Sequence, residues 1–148
     1  MRPVKFRAKV LPHEAMTNAA NGWAEGFYFT DVAAGEVKHY ITSAPMTWEV
    51  DPNTVGQFTD VEDKNGRDIC EGDIVDAGNR LEGSYGVVVW NRYEARFVLD
   101  MQMAHNARRQ HALWFELQRP RSHRYEIVGN RYDNPELLNK NYDNPEGW

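Results

Sequence analysis

The residues of this sequence that could do chemistry are one cysteine, five histidines and a crowded run of acidic side chains in the middle of the chain. Such a run could supply a carboxylate pair for general acid and base catalysis, or ligands for a divalent cation. It lacks the Asp-x-Asp-x-Asp-Gly order of a calcium loop, and acids beside glycine and asparagine are typical of exposed turns. We therefore expect structural roles for its members, which are Asp60, Glu62, Asp63, Asp68, Glu71 and Asp73.

The cysteine and the histidines do not form a recognisable reactive site either. Cys70 lies between Ile69 and Glu71, and a neighbouring carboxylate disfavours the thiolate that a nucleophile requires. With one cysteine and no His-x-x-x-His pair, a zinc site would have to be assembled from distant segments. The sequence predicts no catalytic residue, no metal ligand and no cofactor, and hence a protein that is not an enzyme.

A basic segment with aromatic neighbours is the candidate contact surface. Arginines beside aromatic rings can hold a nucleic-acid backbone and stack on its bases, although a net charge of -5 is unusual for a nucleic-acid-binding protein. Nucleic acid is therefore the alternative partner, and a phage or host protein the preferred one. The candidate contact residues are Arg108, Arg109, Trp114, Arg119, Arg121 and Arg124, with His123 and Tyr125 beside them.

Charge is distributed unevenly along the chain. Between Asp31 and Asp76 there are eleven acidic residues against three basic ones, a local charge of -8. Between Arg92 and Arg131 there are eight arginines against four acids, a local charge of +4. This asymmetry favours self-association or attraction of a charged partner, and the alternative is that both regions are solvated faces of one sheet.

The first half of the chain has the patterns of β-strands. Residues 4–10 alternate apolar and basic side chains with period two, as a half-buried strand does. Aromatic residues fill 23–30, a second apolar run covers 36–42, and the five residues 31–35 between them include a glycine, which predicts a hairpin. Shorter extended pieces are expected at 46–50 and 55–58.

The stretch from Asp63 to Val75 predicts a corner that leads into the main sheet. Asn65-Gly66 is a strong turn signal, and a second turn is expected at Gly72-Asp73, with the Asp73 side chain bonded to nearby backbone N–H groups. On this basis Gly72→Val should unfold the domain, while Asp63→Asn should change stability by well under ~1 kcal/mol.

The second half predicts further short strands. Strands are expected at 74–77, 85–90, 95–99, 111–118 and 125–129, and residues 100–110 fit either a helix of about three turns or a long hairpin loop. Asn134-Pro135-Glu136 has the form of a helix start. The last residues repeat Tyr132-Asp-Asn-Pro-Glu136 as Tyr142-Asp-Asn-Pro-Glu146, and we expect a flexible tail there.

These patterns predict a mainly β fold. We expect a small SH3-like or partly open β-barrel at about 74–130, an N-terminal β layer and a short C-terminal helix. The expected domains are 1–60, 61–138 and a tail at 139–148. One cysteine, no signal peptide and no apolar run long enough for a membrane span predict a cytoplasmic protein that does not bind membranes.

Four separated motifs resemble the YopX family of phage and prophage proteins. They are Lys5-Phe-Arg-Ala8, the run Glu49-Val-Asp-Pro-Asn-Thr-Val-Gly-Gln-Phe-Thr59, Asp63-Lys-Asn-Gly66 with Ile69-Cys-Glu-Gly-Asp-Ile-Val75, and Tyr125-Glu-Ile-Val-Gly-Asn-Arg-Tyr-Asp-Asn-Pro-Glu-Leu-Leu138. Two positions depart from the family pattern. Cys70 stands where an aromatic residue is usual, and Lys9 where a tryptophan is common.

The resemblance implies a protein encoded by a bacteriophage or prophage, acting in a bacterial host cell and forming a homo-oligomer. It carries over no catalytic residue. The function predicted from the sequence is therefore a non-enzymatic, self-associating binding or assembly module with a protein partner.

Overall fold

A computed structural model describes residues 3–14, 19–78, 85–102, 108–112 and 125–139, with the backbone alone for residues 20, 102, 108–112 and 139. The chain divides into two compact units, Met1–Phe58 and Thr59–Trp148. The described strands and helix are β1 Phe6–Lys9, β2 Trp23–Ala33, β3 Glu36–Ser43, β4 Met46–Glu49, β5 Gly56–Glu62, β6 Asp68–Cys70, β7 Asp73–Asp76, β8 Tyr85–Asn91, β9 Arg96–Gln102, β10 Arg108–Ala112, β11 Glu126–Asn130 and α1 Glu136–Asn139.

The first unit is an antiparallel sheet with the strand order β4-β3-β2-β1-β5. Its strands follow from the period-two pattern, because alternate side chains of a strand point to opposite faces of the sheet. Ala8 of β1 pairs with Ala24 of β2, and Ile41 of β3 pairs with Trp48 of β4. These four residues are buried and, with Val50, form the core of the unit.

A short 3-10 turn, Pro52–Thr54, leads the first unit into β5. The Asp51 side chain accepts a hydrogen bond from the backbone N–H of Asn53 at 3.0 Å, which caps the turn. The hydroxyl of Thr54 donates to the carbonyl of Asp51 at 2.7 Å and accepts from the N–H of Lys9 at 2.9 Å. Thr54 is buried, so its hydroxyl links the turn to β1.

The predicted hairpin is confirmed, but its predicted five-residue loop is wrong. β2 continues to Ala33 and β3 begins at Glu36, so two residues form the turn. Ala34 has φ 52° and Gly35 has φ 80°, and positive φ at both central positions is the type I′ geometry that matches the twist of a two-residue hairpin. Asp31 and Val32 therefore belong to the strand and pair with Lys38 and Val37.

The second unit contains the end of β5, β6 and a five-stranded antiparallel sheet with the order β10-β9-β8-β7-β11. Ile74 pairs with Val87, and Val88 pairs with Leu99. The core of the unit is formed by Val61, Ile69, Val75, Ala77, Val88, Leu99, Met101, Tyr125 and Ile127.

The mainly β class and the short C-terminal helix are confirmed, but the sheets do not close into a barrel. β10 and β11 end the five-stranded sheet on opposite sides, and among the described residues no strand pairing joins them. Short strands with alternating patterns are equally suited to open and closed sheets, so the sequence pattern alone could not distinguish them.

The structure decides in part between the helix and the hairpin loop that the sequence allows at residues 100–110. Asp100 to Gln102 belong to β9, and Arg108 to Gln110 belong to β10, which pairs with it antiparallel. This is the hairpin alternative rather than the helix. The predicted strand at 111–118 begins earlier than expected, and its residues 113–118 lie outside the described part of the chain, as does the predicted tail from residue 140 onward.

Candidate functional site

The first turn of the corner between β5 and β7 is built around the buried carboxylate of Asp63. One of its oxygens accepts hydrogen bonds from the backbone N–H groups of Asn65 and Arg67, both at 2.9 Å. The other oxygen accepts from the N–H of Ile127 in β11 at 3.1 Å. The Asp63 side chain therefore closes its own loop and fastens that loop to a strand far along the sequence.

The environment of Asp63 favours its charged form. Burial by itself would raise the pKa of the carboxyl, but the three backbone N–H groups of Arg67, Ile127 and Asn65, with the charge of the Arg67 side chain, lower it below its ordinary value of 3.8. The expectation that Asp63→Asn is nearly silent is therefore not supported. An amide offers one acceptor oxygen where the carboxylate uses two.

Beside Asp63, Lys64 joins the same loop to β11 on the outside of the unit. Its ammonium lies 2.8 Å from Glu126, and its backbone N–H donates to the carbonyl of Tyr125 at 2.8 Å. The hydrogen bond and charge of Glu126 raise the pKa of Lys64. The pair is solvent-exposed, so it contributes little to stability compared with the buried bonds of Asp63.

The second turn of the corner is fixed by Gly72 and Asp73. Gly72 has φ 91°, a left-handed conformation that favours glycine, and its N–H donates to the carbonyl of Val88 at 2.8 Å. Asp73 is buried and accepts a hydrogen bond from the N–H of Cys70 at 2.8 Å. Asn65 and Gly66 form the first turn, where Gly66 has φ 77°. These residues have structural roles.

No group of three or more histidine, cysteine, aspartate or glutamate side chains within the described ranges is placed to bind a metal ion. Cys70 is fully buried and forms no disulfide, and its backbone N–H donates to the Asp73 carboxylate. Across the same ranges no helix is long and apolar enough to cross a membrane.

The structure places only part of the basic segment. Arg108 and Arg109 lie in β10, paired with Gln102 and Met101 of β9. The remaining candidate contact residues lie outside the described part of the chain, namely Trp114, Arg119, Arg121, His123 and Arg124. A surface that joins all of these residues therefore stays a prediction.

The described part of the molecule presents instead a projecting β-ribbon, which we call the arm and define as residues 27–39. β1 pairs with residues 23–26 of β2, and β4 pairs with residues 40–43 of β3. β2 continues for seven residues beyond that pairing, roughly 23 Å at the usual rise of a strand. In the arm β2 and β3 pair with each other, and no further strand in the described ranges pairs with either outer edge beyond His39, whose carbonyl accepts from the N–H of Val50 at 2.9 Å.

Apolar side chains are exposed on both faces of the arm. Phe27 and Phe29 point to one face, while Val32 and Val37 face each other on the opposite one, because side chains alternate along a strand. Phe27 is 62% exposed, Val32 67% and Val37 59%. A ribbon of two strands gains little stability by itself in water, and the exposed apolar groups on both its faces make the arm a candidate contact surface.

Ring contacts across the two strands fix the base of the arm. Phe29 stacks on Tyr40 with ring centroids 5.1 Å apart. On the other face the Tyr28 hydroxyl and Nδ1 of His39 are 2.6 Å apart in a hydrogen bond. Such cross-strand pairs hold a hairpin in one register, so the arm is presented as a defined ribbon.

A second exposed surface lies at the turn between β8 and β9, which we call the Tyr93 turn and define as residues 90–97. Tyr93 is 86% exposed and Trp90 47% exposed, and Trp90 packs edge-on against Phe97 with centroids 4.9 Å apart. The side chain of Asn91 accepts hydrogen bonds from the N–H groups of Tyr93 and Glu94, at 3.0 and 3.1 Å. The turn is therefore held in place while its aromatic side chains face solvent.

Sequence reasoning missed both surfaces as functional candidates. The aromatic run at 23–30 predicts a strand of a hairpin, and the residues between the predicted strands 85–90 and 95–99 predict only a connection. The sequence did contain a signal for the arm. Apolar residues of the hairpin fall on both faces of its strands, and a hairpin with one buried face would not need them on both. These residues are Phe27, Phe29, Val32 and Val37. What the pattern could not show is that β1 and β4 are too short to cover the hairpin.

The fold defines a mainly β protein of two antiparallel sheets with exposed apolar surfaces on two hairpins. Comparison with known families gives a specific assignment. The family model described as YopX protein matches residues 5–139, and the chain belongs to the YopX family.

Two further comparisons add context. The crystal structure of protein EF1440 from Enterococcus faecalis is similar to this chain with a TM-score of 0.44 and 20% sequence identity, covering 92% of this chain and 98% of that chain. A search of the curated proteins finds no match.

Proposed function

We propose that this YopX family protein is a non-enzymatic binding and assembly module of phage or prophage origin, which self-associates through its arm. The observation that carries the proposal is the arm itself, a ribbon with exposed apolar residues on both faces. Beyond the bond from the Val50 N–H to the His39 carbonyl at its base, no further strand in the described ranges pairs with its outer edges. Its partner is a second copy of the chain, and the resulting assembly recognises a phage or host protein in the bacterial cytoplasm.

Each face of the arm offers apolar surface to a partner. Burying Val32 and Val37 on one face, or Phe27 and Phe29 on the other, removes water from apolar surface, which is the main favourable term in protein association. The arm therefore fits a partner that covers one of its faces or pairs with its edges.

Mass in solution tests self-association directly. Light scattering after size-exclusion chromatography, at two protein concentrations and at low and high salt, should give a mass above that of the monomer. The double variant Val32→Ser/Val37→Ser should dissociate at concentrations where the wild-type protein stays assembled. Val4→Ser is the matched control, because Val4 is 48% exposed but lies outside the arm.

Two results would overturn the proposal. One is a strict monomer at every concentration and both salt conditions. The other is an arm variant that stays as fully assembled as the wild-type protein and the Val4→Ser control. Circular dichroism of each variant confirms that it is folded before its mass is compared.

A second candidate function is nucleic-acid binding, and one described feature favours it. Lys5 and Lys9 lie on one side of β1, and the ammonium of each lies within 6 Å of the centroid of an aromatic ring, Phe58 for Lys5 and Trp23 for Lys9. Cations beside aromatic rings are the components of surfaces that hold single strands. The predicted basic segment at 108–124 would supply further arginines.

Fluorescence anisotropy with single- and double-stranded DNA and RNA at low salt tests this candidate. Binding should weaken as salt rises, and Arg119→Ala and Arg124→Ala should weaken it further because each removes a phosphate contact. No binding at low salt excludes the candidate. Binding that both substitutions leave unchanged excludes the basic segment as its site.

A further inference from the structure

The Tyr93 turn has the side chains of an interaction site and a fixed conformation. Tryptophan, tyrosine and arginine are the residues that most often contribute binding energy at protein interfaces, and the exposed residues of the turn include Trp90, Arg92 and Tyr93. Its backbone is held by the two hydrogen bonds to the Asn91 side chain. Binding at such a turn costs little conformational entropy, because its geometry is already set.

The Tyr93 turn carries an available positive charge. Arg96 binds Glu94 with two nitrogens, at 2.6 and 2.7 Å, so these two charges offset each other. The Arg92 guanidinium lies 5.1 Å from the centre of the Tyr93 ring and donates to the Tyr93 hydroxyl at 3.2 Å. In the described ranges no carboxylate lies within ion-pair distance of Arg92, so the turn combines an aromatic surface with one uncompensated cation.

The end of the arm has complementary properties. Val32 and Val37 form an exposed apolar pair, and Asp31 and Glu36 lie on the face opposite to them. Lys38 is the one lysine or arginine of the arm, and it lies 3.9 Å from Glu49 of β4. Within the ranges that the structure describes, neither Asp31 nor Glu36 forms a salt bridge, and Lys38 is the residue opposite Asp31 across the two strands.

We propose that the end of the arm of one copy docks on the Tyr93 turn of a second copy. The apolar pair Val32 and Val37 packs on Trp90 and Tyr93, and Arg92 pairs with Asp31 or Glu36 at the edge of the contact. The inference rests on the proposed self-association and names the surface that receives the arm. Opposite charge and shared apolar character are what select the second copy as the occupant.

This contact joins two different surfaces, so it is directional. In a symmetric dimer the same patch meets itself, and both copies are satisfied at once. When arm meets turn, each added copy leaves one arm and one turn open, and the assembly grows until it closes into a ring or continues as a chain. Masses beyond the dimer are therefore expected for the wild-type protein.

Mixing two inactive variants tests the direction of the contact. Variant A, Val32→Ser/Val37→Ser, has a defective arm and an intact turn, while variant B, Trp90→Ser/Tyr93→Ser, has an intact arm and a defective turn. Each should be a monomer alone at a concentration where the wild-type protein assembles. Their mixture should give a 1:1 heterodimer and nothing larger, because it contains one functional arm and one functional turn per pair.

Charge reversal tests the ionic part of the contact. Arg92→Glu should weaken self-association by about tenfold or more, since it places like charges together at the edge of the interface. Adding Asp31→Arg and Glu36→Arg to the same chain should restore assembly, because the attraction is re-established with the signs exchanged. All of these side chains are exposed, and thermal unfolding of each variant checks that the fold is unchanged.

The outcomes separate this inference from the proposed function. A monomeric wild-type protein overturns both. Variant B as fully assembled as the wild-type protein, with variant A dissociated, overturns docking on the Tyr93 turn and leaves self-association through the arm standing. A mixture of A and B that stays monomeric also overturns the directional contact, because the mixture holds a functional arm on B and a functional turn on A that then fail to bind each other.

Discussion

Asp63 and Ile127 are 64 residues apart in the sequence and are joined by a hydrogen bond of 3.1 Å from the backbone N–H of Ile127 to the Asp63 carboxylate. The bond ties the loop after β5 to β11, the last strand of the second sheet. The same carboxylate also accepts from Asn65 and Arg67 within its own loop. The Asp63 side chain thus stabilises both its own turn and the contact of that turn with β11.

Replacing this carboxylate by an amide should be costly. Asp63→Asn keeps the size of the side chain but leaves an N–H group of Ile127, or those of Asn65 and Arg67, facing an NH₂ group. We expect the free energy of unfolding to fall by about 1–3 kcal/mol, the range for losing a buried hydrogen bond to a charged group. Urea unfolding measures the change, with Asp68→Asn as an exposed control that should change stability little.

The same carboxylate predicts a pH dependence. Its pKa is lower in the folded protein than its ordinary value of 3.8, so the unfolded chain binds more protons between the two values. The stability that Asp63 contributes is complete above about pH 4 and is lost as the pH falls through the folded pKa. The difference in unfolding free energy between the wild-type protein and Asp63→Asn should shrink from about pH 7 to about pH 3. A difference that stays constant over this range would contradict the assignment.

Gly66 and Gly72 have similar φ angles but different surroundings, so alanine substitutions at the two positions distinguish the cost of backbone strain from the cost of a steric contact. Gly66→Ala, at φ 77° with open space around the new methyl, should cost about 1 kcal/mol from the left-handed backbone alone. Gly72→Ala, at φ 91°, places its methyl 3.0 Å from a ring carbon of Tyr132 and should cost about 2 kcal/mol or more. Gly72→Val should then unfold the unit. Equal costs for the two alanine variants in chemical denaturation would show that Tyr132 moves aside freely.

A substitution in the turn of the arm should increase the stability of the hairpin. Ala34 holds φ 52° in a type I′ turn, where asparagine is preferred at the same position and alanine is strained. Ala34→Asn should stabilise the arm by about 0.5–1 kcal/mol. Hydrogen exchange should show slower exchange of the amides that pair β2 with β3 near the turn. Ala33→Asn, at the preceding strand position, serves as the control and should not slow them.

The local features of the fold could be predicted from the sequence. Three consecutive valines before Trp90 predict β8, and Asn134-Pro135-Glu136 predicts the C-terminal helix, because each signal depends on a few adjacent residues. The turn at Gly72 is similar, since a left-handed backbone position requires glycine. These features need no knowledge of where distant segments lie.

The role of Asp63 and the arm could not be predicted in the same way. Asp63 looks like an ordinary turn acid, and its distinguishing partner, Ile127, belongs to a strand more than sixty residues away. The arm depends on strand lengths, because β1 and β4 have four residues each while β2 has eleven. A pattern in one strand contains no information on how far its neighbours extend.

Because β1 and β4 do not extend along the arm, the length of the arm can change without a change in the rest of the sheet. Because side chains alternate with period two, adding two residues to each strand of the ribbon keeps every existing side chain on its face. The two-residue turn at Ala34-Gly35 can be carried outward unchanged, and no core residue has to move. The reach of the arm can therefore change in steps of two residues per strand while the rest of the sheet stays the same.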